Sequence, residues 1–166
     1  SSMESSITSI RSLKLKKNRG GVVIDYLQIL TVGKKEREQQ LAEAARRLKN
    51  LAKELDIWII ALSQLNRDRG KDKDNPEPNV NRLRGSGEIN EASDMTILLY
   101  RPEEYNKSYS GEFVNVNPQG TALIDVAKGR NIGKLKFIVG FDKKTTRFYE
   151  LANIPQGIQS YDDNPF

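Results

Sequence analysis

The most regular alternation of apolar and polar positions lies in residues 36–55, EREQQLAEAARRLKNLAKEL. Leu41, Ala44, Ala45, Leu48, Leu51, Ala52 and Leu55 recur at helical spacing and form one stripe, the signature of an amphipathic helix. Glu36 and Glu38 fall in its first turn, where acids suit the helix dipole, and Glu43 is placed to meet Arg47 one turn on. Two apolar runs flank this helix. Residues 22–26, VVIDY, read as a buried strand, and Ile57–Leu62 runs without alternation, as in a strand covered on both faces. Strand, helix and strand inside about forty residues make a βαβ unit, which predicts a parallel sheet with a right-handed crossover.

The rest of the chain is punctuated by polar segments. Residues 5–17 read as a basic amphipathic helix or an ordered lead-in, closed by the break Asn18-Arg19-Gly20-Gly21. Residues 31–35 form a loop. Residues 66–81, charged and rich in Pro and Asn, read as a long mobile loop, a kind that is functional or disordered in compact domains. A Gly-Ser turn and short helix occupy 82–93, a third strand 94–100 and a second polar loop 101–119. Strands at 120–128 and 134–141 are joined by GRNIG as a hairpin, and 147–151 adds an edge strand. Residues 1–4 are a lead-in and 152–166 a loose tail, so the expected organisation is a single domain over 1–166.

Composition narrows the chemistry. The 166 residues contain no cysteine and no histidine, which removes disulfides, thiolate and imidazole metal sites, and Ser-His-Asp or Cys-His catalysis. Carboxylates, amides, hydroxyls and basic groups remain. The formal charge of +5 permits a phosphate or nucleic-acid partner without demanding one. No apolar run approaches the length of a membrane span and no signal-peptide pattern is present, so no membrane partner is expected.

Three clusters can carry chemistry. Asp25 and Gln64 both stand near the ends of predicted neighbouring parallel strands, the rim where open α/β sheets bind ligands. A carboxylate beside a neutral amide suits a magnesium–phosphate site; a strand-end acid capping a turn is the plainer reading of Asp25, and a polar strand end that of Gln64. Arg82 and Arg84 flank Gly85-Ser86-Gly87 ahead of a helix, which fits a loop contacting a nucleic-acid backbone and equally a helix-entry turn with solvated arginines. Lys128 and Arg130, two apart before a tight turn, are placed by alternation on one side. They make a basic prong for phosphate or an ordinary hairpin tip. The glycine-rich G-x-x-x-x-G-K-[ST] loop of nucleotide hydrolases does not occur in the sequence.

In sequence order these stretches resemble the C-terminal RecA-like ATPase domain of the DnaB family of replicative hexameric DNA helicases. VVIDYLQIL is similar to its Walker B strand and ELDIWIIALSQLNR to the next strand with its polar sensor. LRGSGEINEASDMTILLYR resembles its DNA-binding loop, helix and strand, and IDVAKGRNIGKLKF its arginine-finger hairpin. The likeness runs from about residue 7 to residue 151. It implies that Asp25 helps hold Mg²⁺ at the ATP phosphates and that Gln64 senses the γ-phosphate and links it to the DNA loop. Arg82, Arg84, Gly85, Ser86 and Gly87 then lie on the stretch touching single-stranded DNA. Lys128 and Arg130 reach into a neighbouring subunit's ATP site. The implied cofactors are ATP and Mg²⁺; the implied partners are single-stranded DNA, further helicase subunits in a hexamer, and a primase or helicase loader, in a cytoplasmic, nucleoid-associated setting.

The chain departs from that pattern where Gly85 replaces an acid of the DNA loop. The family's Walker A loop, catalytic glutamate and primase-interacting domain precede the Walker B strand, so the chain is expected to be a late segment of an ATPase domain, without ATP hydrolysis of its own. The expected fold is α/β: a partial RecA-like P-loop NTPase core, mainly parallel sheet with flanking helices and an antiparallel C-terminal hairpin. The alternatives are a truncated, non-enzymatic helicase homologue that binds nucleic acid or partners, and a segment of another RecA-type ATPase of recombination or repair.

Overall fold

The computed structural model describes residues 3–17, 20–31, 37–65, 77–80 and 86–151. They divide into two compact units, residues 1–67 with 81–93, and residues 68–80 with 94–166.

The first unit is built on the predicted βαβ pattern. Helix α1 spans Met3–Lys17, strand β1 Gly21–Ile24, helix α2 Arg37–Leu55, strand β2 Trp58–Ala61 and helix α3 Ser86–Ala92. β1 and β2 pair in parallel, with Gly21 opposite Trp58 and Ile24 opposite Ala61. The helical stripe does what its spacing requires. Leu41, Ala44 and Leu48 join Ile24, Leu27 and Leu30 in one core cluster, and Leu51 joins Ile7 and Ile10 of α1 in a second. Ala42, outside the predicted stripe, is also fully buried.

Three local expectations give way here. The helix over residues 5–17 begins at Met3, so part of the supposed lead-in is helical. Arg47 pairs with Glu4 on α1 at 2.6 Å rather than with Glu43, and a bidentate Arg11–Glu54 contact adds a second tie between the two helices. Cover on both faces of β2 is not found within this unit. Ile59 packs against both core clusters, while Trp58, Ile60 and Leu62 are about half exposed. The period of two along a strand sends alternate side chains to opposite faces, and α1 and α2 cover one of them.

The second unit is an antiparallel sheet of four strands, β3 (Met95–Tyr100), β4 (Thr121–Gly129), β5 (Leu135–Asp142) and β6 (Arg147–Tyr149), in that spatial order. The predicted hairpin is its β4–β5 pair, and β6 is the predicted edge strand. The antiparallel part is therefore larger than a hairpin, because β3 pairs with β4. The segment read as a polar loop over 101–119 holds two short 3-10 turns, Pro102–Tyr105 and Gly111–Phe113. It delivers Tyr109 and Phe113 into a core with Tyr100, Leu123 and Ile138. The Tyr109 hydroxyl meets Thr121 Oγ1 at 3.0 Å, so the buried phenol keeps a partner.

Charged groups stitch this unit together. Arg101 lies over the Phe141 ring at 3.8 Å and pairs with Glu103 and Glu104. The Gly120 N–H donates to Glu103 Oε2 at 3.1 Å. Of the supposed mobile loop 66–81, residues 66–76 and 81 lie outside the described residues. The described part is tied down: Ser110 Oγ donates to Glu77 Oε2 at 2.8 Å, and Lys136 Nζ donates to Glu77 Oε1 at 3.2 Å. Asp125 is Lys136's second acid, 3.5 Å away. Burial raises the Asp125 carboxyl above its usual range despite Lys136. Burial also works against the Lys136 ammonium, yet Asp125 and Glu77 together hold it above the ordinary lysine range.

The hydrogen bond from Arg101, then that from Gly120, lowers the Glu103 carboxyl below its ordinary 4.5. A depressed carboxylate stabilises the fold above its unfolded pKa and loses that contribution as pH falls through the folded value. The melting temperature is therefore expected to drop on acidification below about pH 4.5. Glu103→Gln should melt lower than wild type at pH 6 and lose less between pH 6 and pH 3; equal slopes in the two proteins would exclude this source of acid sensitivity.

Candidate nucleotide and nucleic-acid site

The carboxyl ends of the two parallel strands form one rim. β1 ends at Ile24 and Asp25 follows, exposed. β2 ends at Ala61 and Gln64 lies three residues on, also exposed. The backbone ladder runs past both ends: the Leu62 N–H donates to Ile24 O at 2.9 Å, and the Leu27 N–H to Leu62 O at 2.7 Å. The chain then turns through a 3-10 segment, Leu27–Leu30. An open groove of about 340 Å³ beside β1 is lined by Asp25, Val23 and Ile24 and by Ser5, Ser6 and Ser9 of α1. Thus Asp25 is not an acid stranded in a core. The strand surfaces at that residue, and hydration removes the cost of its charge.

Gln28 was missed from the sequence. It is 6% exposed, in the middle of an apolar stretch. Its Nε2 donates to Ser63 Oγ and to Gln64 O, each at 3.1 Å, and its Oε1 accepts from the Gln64 N–H at 3.4 Å. The available signal was the residue type. A neutral amide between apolar neighbours has to find partners for its donors and acceptor once buried.

Among the described residues no group of three or more acidic side chains is placed to hold a metal ion. Asp25 is thus a single carboxylate at an open rim. That fits Mg²⁺, which keeps most of its waters and takes one or two carboxylates together with phosphate oxygens.

Of the nucleic-acid residues, Arg82, Arg84 and Gly85 lie outside the described residues, as does the Ser86 side chain. Gly87 is exposed in the first turn of α3, and α3 closes with the Ser93 N–H on Ile89 O at 3.1 Å.

The basic prong sits at the β4–β5 turn of the second unit. Lys128 is half-buried opposite Thr96. Ile97 faces Val126 and Thr96 faces Lys128, so β4 carries one extra residue, Ala127, a bulge. Arg130 lies beyond the strand end at Gly129, in the turn. Strict alternation, expected to place both cations on one side, therefore does not govern this pair. The Arg130 N–H donates to Asp94 O at 2.9 Å, and its Nη1 lies 3.3 Å from Asp94 Oδ1, with both side chains more than half exposed. Such a pair contributes about 0–1 kcal/mol. A Cβ on Gly129 would stand 2.5 Å from Gly133 O, so the tight turn presenting Arg130 requires glycine there.

The chain as a whole is similar to known proteins. The DnaB-like helicase C terminal domain family matches residues 1–150. The replicative DNA helicase DnaB of Leifsonia xyli subsp. xyli is 41% identical over 148 residues, covering 87% of this chain and 30% of that protein. The replicative DNA helicase DnaB of Geobacillus stearothermophilus is 36% identical over 156 residues, 89% of this chain and 33% of that one. The chain thus spans about a third of the length of these curated relatives. Two solved structures share the fold at a TM-score of 0.71 and 30% identity over 90% of this chain. One is a DnaB-like replicative helicase described with its interactions with primase, 35% of which is covered; the other is a separately solved ATPase domain, 51% covered. No described helix is long and apolar enough to cross a membrane. A family match over nine-tenths of the chain, and relatives that share its sequence and its fold, establish that this chain belongs to the DnaB-like helicase C-terminal domain family.

Proposed function

We propose that the chain forms part of the ATPase domain of a hexameric replicative helicase, which couples ATP hydrolysis to movement along single-stranded DNA and so to duplex unwinding. The observation that carries this reading is the shared rim of β1 and β2, where Asp25 and Gln64 follow the ends of two paired parallel strands. Asp25 holds Mg²⁺ at the ATP phosphates, directly or through water, and Gln64 reads the γ-phosphate with a neutral amide. A bound Mg²⁺ neutralises charge on the phosphates.

Lys128 and Arg130 are assigned to the nucleotide of a neighbouring subunit. Support comes from the exposure of Arg130 on a glycine-dependent turn and from the weakness of its pair with Asp94. Arginine supplies delocalised charge to a transferring phosphoryl group at low cost in desolvation. Arg82, Arg84, Gly85, Ser86 and Gly87 contact the single-strand backbone, where Gly85 brings no acid to repel phosphate. A primase or a helicase loader is the further partner, in line with the relative described with primase.

The 166 residues hold no glycine-rich phosphate loop, so the chain by itself is expected to leave ATP unhydrolysed in a phosphate-release assay; ordinary turnover would contradict the assignment of roles. In the complete gene product, Arg130→Ala should lower single-strand-stimulated turnover by about a thousandfold. Because Asp25 and Arg130 are assigned to opposite sides of a subunit boundary, mixing Asp25→Asn with Arg130→Ala subunits should restore part of the activity, and no recovery would place both in one subunit's site. Arg84→Ala should weaken oligo-dT binding and reduce its salt dependence by about one phosphate contact. Unchanged binding would remove that stretch from the DNA interface.

A further inference from the structure

The pairing of β1 with β2 should stop where β1 leaves the sheet. Backbone groups meet as far as the Leu27 N–H on Leu62 O, 2.7 Å. The 3-10 turn Leu27–Leu30 then carries the backbone away, and residues 63 and 64 have no facing strand from β1. A side chain stands there instead. The primary amide of Gln28 offers the same donor and acceptor as a peptide group, and it meets both backbone groups of one residue, the Gln64 N–H at 3.4 Å and Gln64 O at 3.1 Å. Its second N–H donates to Ser63 Oγ at 3.1 Å. The reverse amide orientation would set Oε1 against Gln64 O, two acceptors facing each other, so the bonds fix which end is which.

Gln28 is itself held. Its backbone carbonyl accepts a hydrogen bond from the Thr31 hydroxyl at 2.8 Å, and the residue is buried. A buried amide with every group satisfied is rigid, and one that loses a partner leaves the other group unpaired at full desolvation cost. A buried glutamine that served packing alone could place its bonds anywhere. These bonds converge on the backbone of residues 63 and 64, while the Gln64 side chain stays exposed.

We infer that Gln28 is a positioning residue: its side-chain amide extends the β1–β2 ladder by one step and fixes the backbone of Gln64 relative to Asp25. The inference deepens the helicase reading and rests on it for the role of Gln64 as the group that reads the γ-phosphate. Gln28 touches neither nucleotide nor metal. It transmits the placement of the Walker B strand to the sensor, so a shift of one strand end carries the other with it.

Two variants test this. Gln28→Leu keeps the volume and removes all three bonds. Gln28→Glu can keep the two bonds to the Gln64 backbone only while protonated, since a neutral carboxyl has one donor and one acceptor where the carboxylate has acceptors alone. Burial favours the neutral acid, so Gln28→Glu should melt below wild type at pH 8 and approach it at pH 5.5, while Gln28→Leu stays below at both. In the complete gene product at pH 8, both variants should keep the wild-type KM for ATP, and the stimulation of turnover by single-stranded DNA should fall about tenfold. For Gln28→Glu alone, stimulation should recover toward pH 6. Full stimulation in Gln28→Leu, or a Gln28→Glu pH profile parallel to wild type in both assays, overturns the positioning role. A wild-type product without stimulated turnover sinks the helicase reading and the sensor role with it. The melting comparison still decides whether the amide extends the ladder.

Discussion

Two strands of four residues lie in parallel, and nothing in a parallel pair can hold itself. No hairpin turn can join them, so the connection must cross over. The pairing of β1 with β2 therefore depends on α2, and α2 depends on the stripe beginning at Leu41. Leu41, Ala44 and Leu48 close over Ile24, Leu27 and Leu30, and Leu51 closes over Ile7 and Ile10. The first of those clusters also sets the height of a strand end. Asp25 follows directly on Ile24, which is in the first cluster, and the turn carrying Gln28 is the Leu27–Leu30 segment whose leucines complete it. The candidate nucleotide rim is in this sense the top layer of a hydrophobic core. Its polar groups are held by the apolar residues immediately beside them in sequence.

The second unit solves a different problem. Its strands pair antiparallel and need no crossover, but one face has to be closed. The segment from Arg101 to Gln119 does this with Tyr109 and Phe113. Its charged residues are not idle solvent-facing groups. Glu103, Glu104, Arg101 and Lys143 link the segment to Gly120 just ahead of β4, to β5 and to the turn after β5. Glu77 brings the short described piece at 77–80 onto the same sheet through Lys136 and Ser110.

What could be read from the sequence follows the physics. Helix α2 was legible because seven apolar residues kept one period over about four turns, and β1 and β2 because short apolar runs bounded by Gly or polar residues have few other uses. Asp25 and Gln64 then fell at the rim by counting along those runs. The 101–119 segment was not legible because its anchors, Tyr109 and Phe113, stand four apart without a repeating pattern and their partners are distant in sequence. Arg47 chose Glu4 over Glu43 because α1 runs alongside α2, which no local spacing reports. The extra residue at Ala127 was hidden because a bulge leaves composition unchanged. Gln28 was overlooked because pattern reading treats a lone polar residue in an apolar run as an interruption. The structure treats it as a join.

Arg130 enters any encounter with phosphate already paired with an anion. Taking hold of a phosphate would then exchange one partner for another on a guanidinium that is more than half exposed. The carboxylate given up is that of Asp94, at the point where the chain passes out of the first unit into the second. The Arg130 N–H is bonded separately to the Asp94 carbonyl. That backbone bond lies two residues beyond the end of α3 and does not depend on the ion pair, so the hairpin tip could turn its charge without losing its anchor.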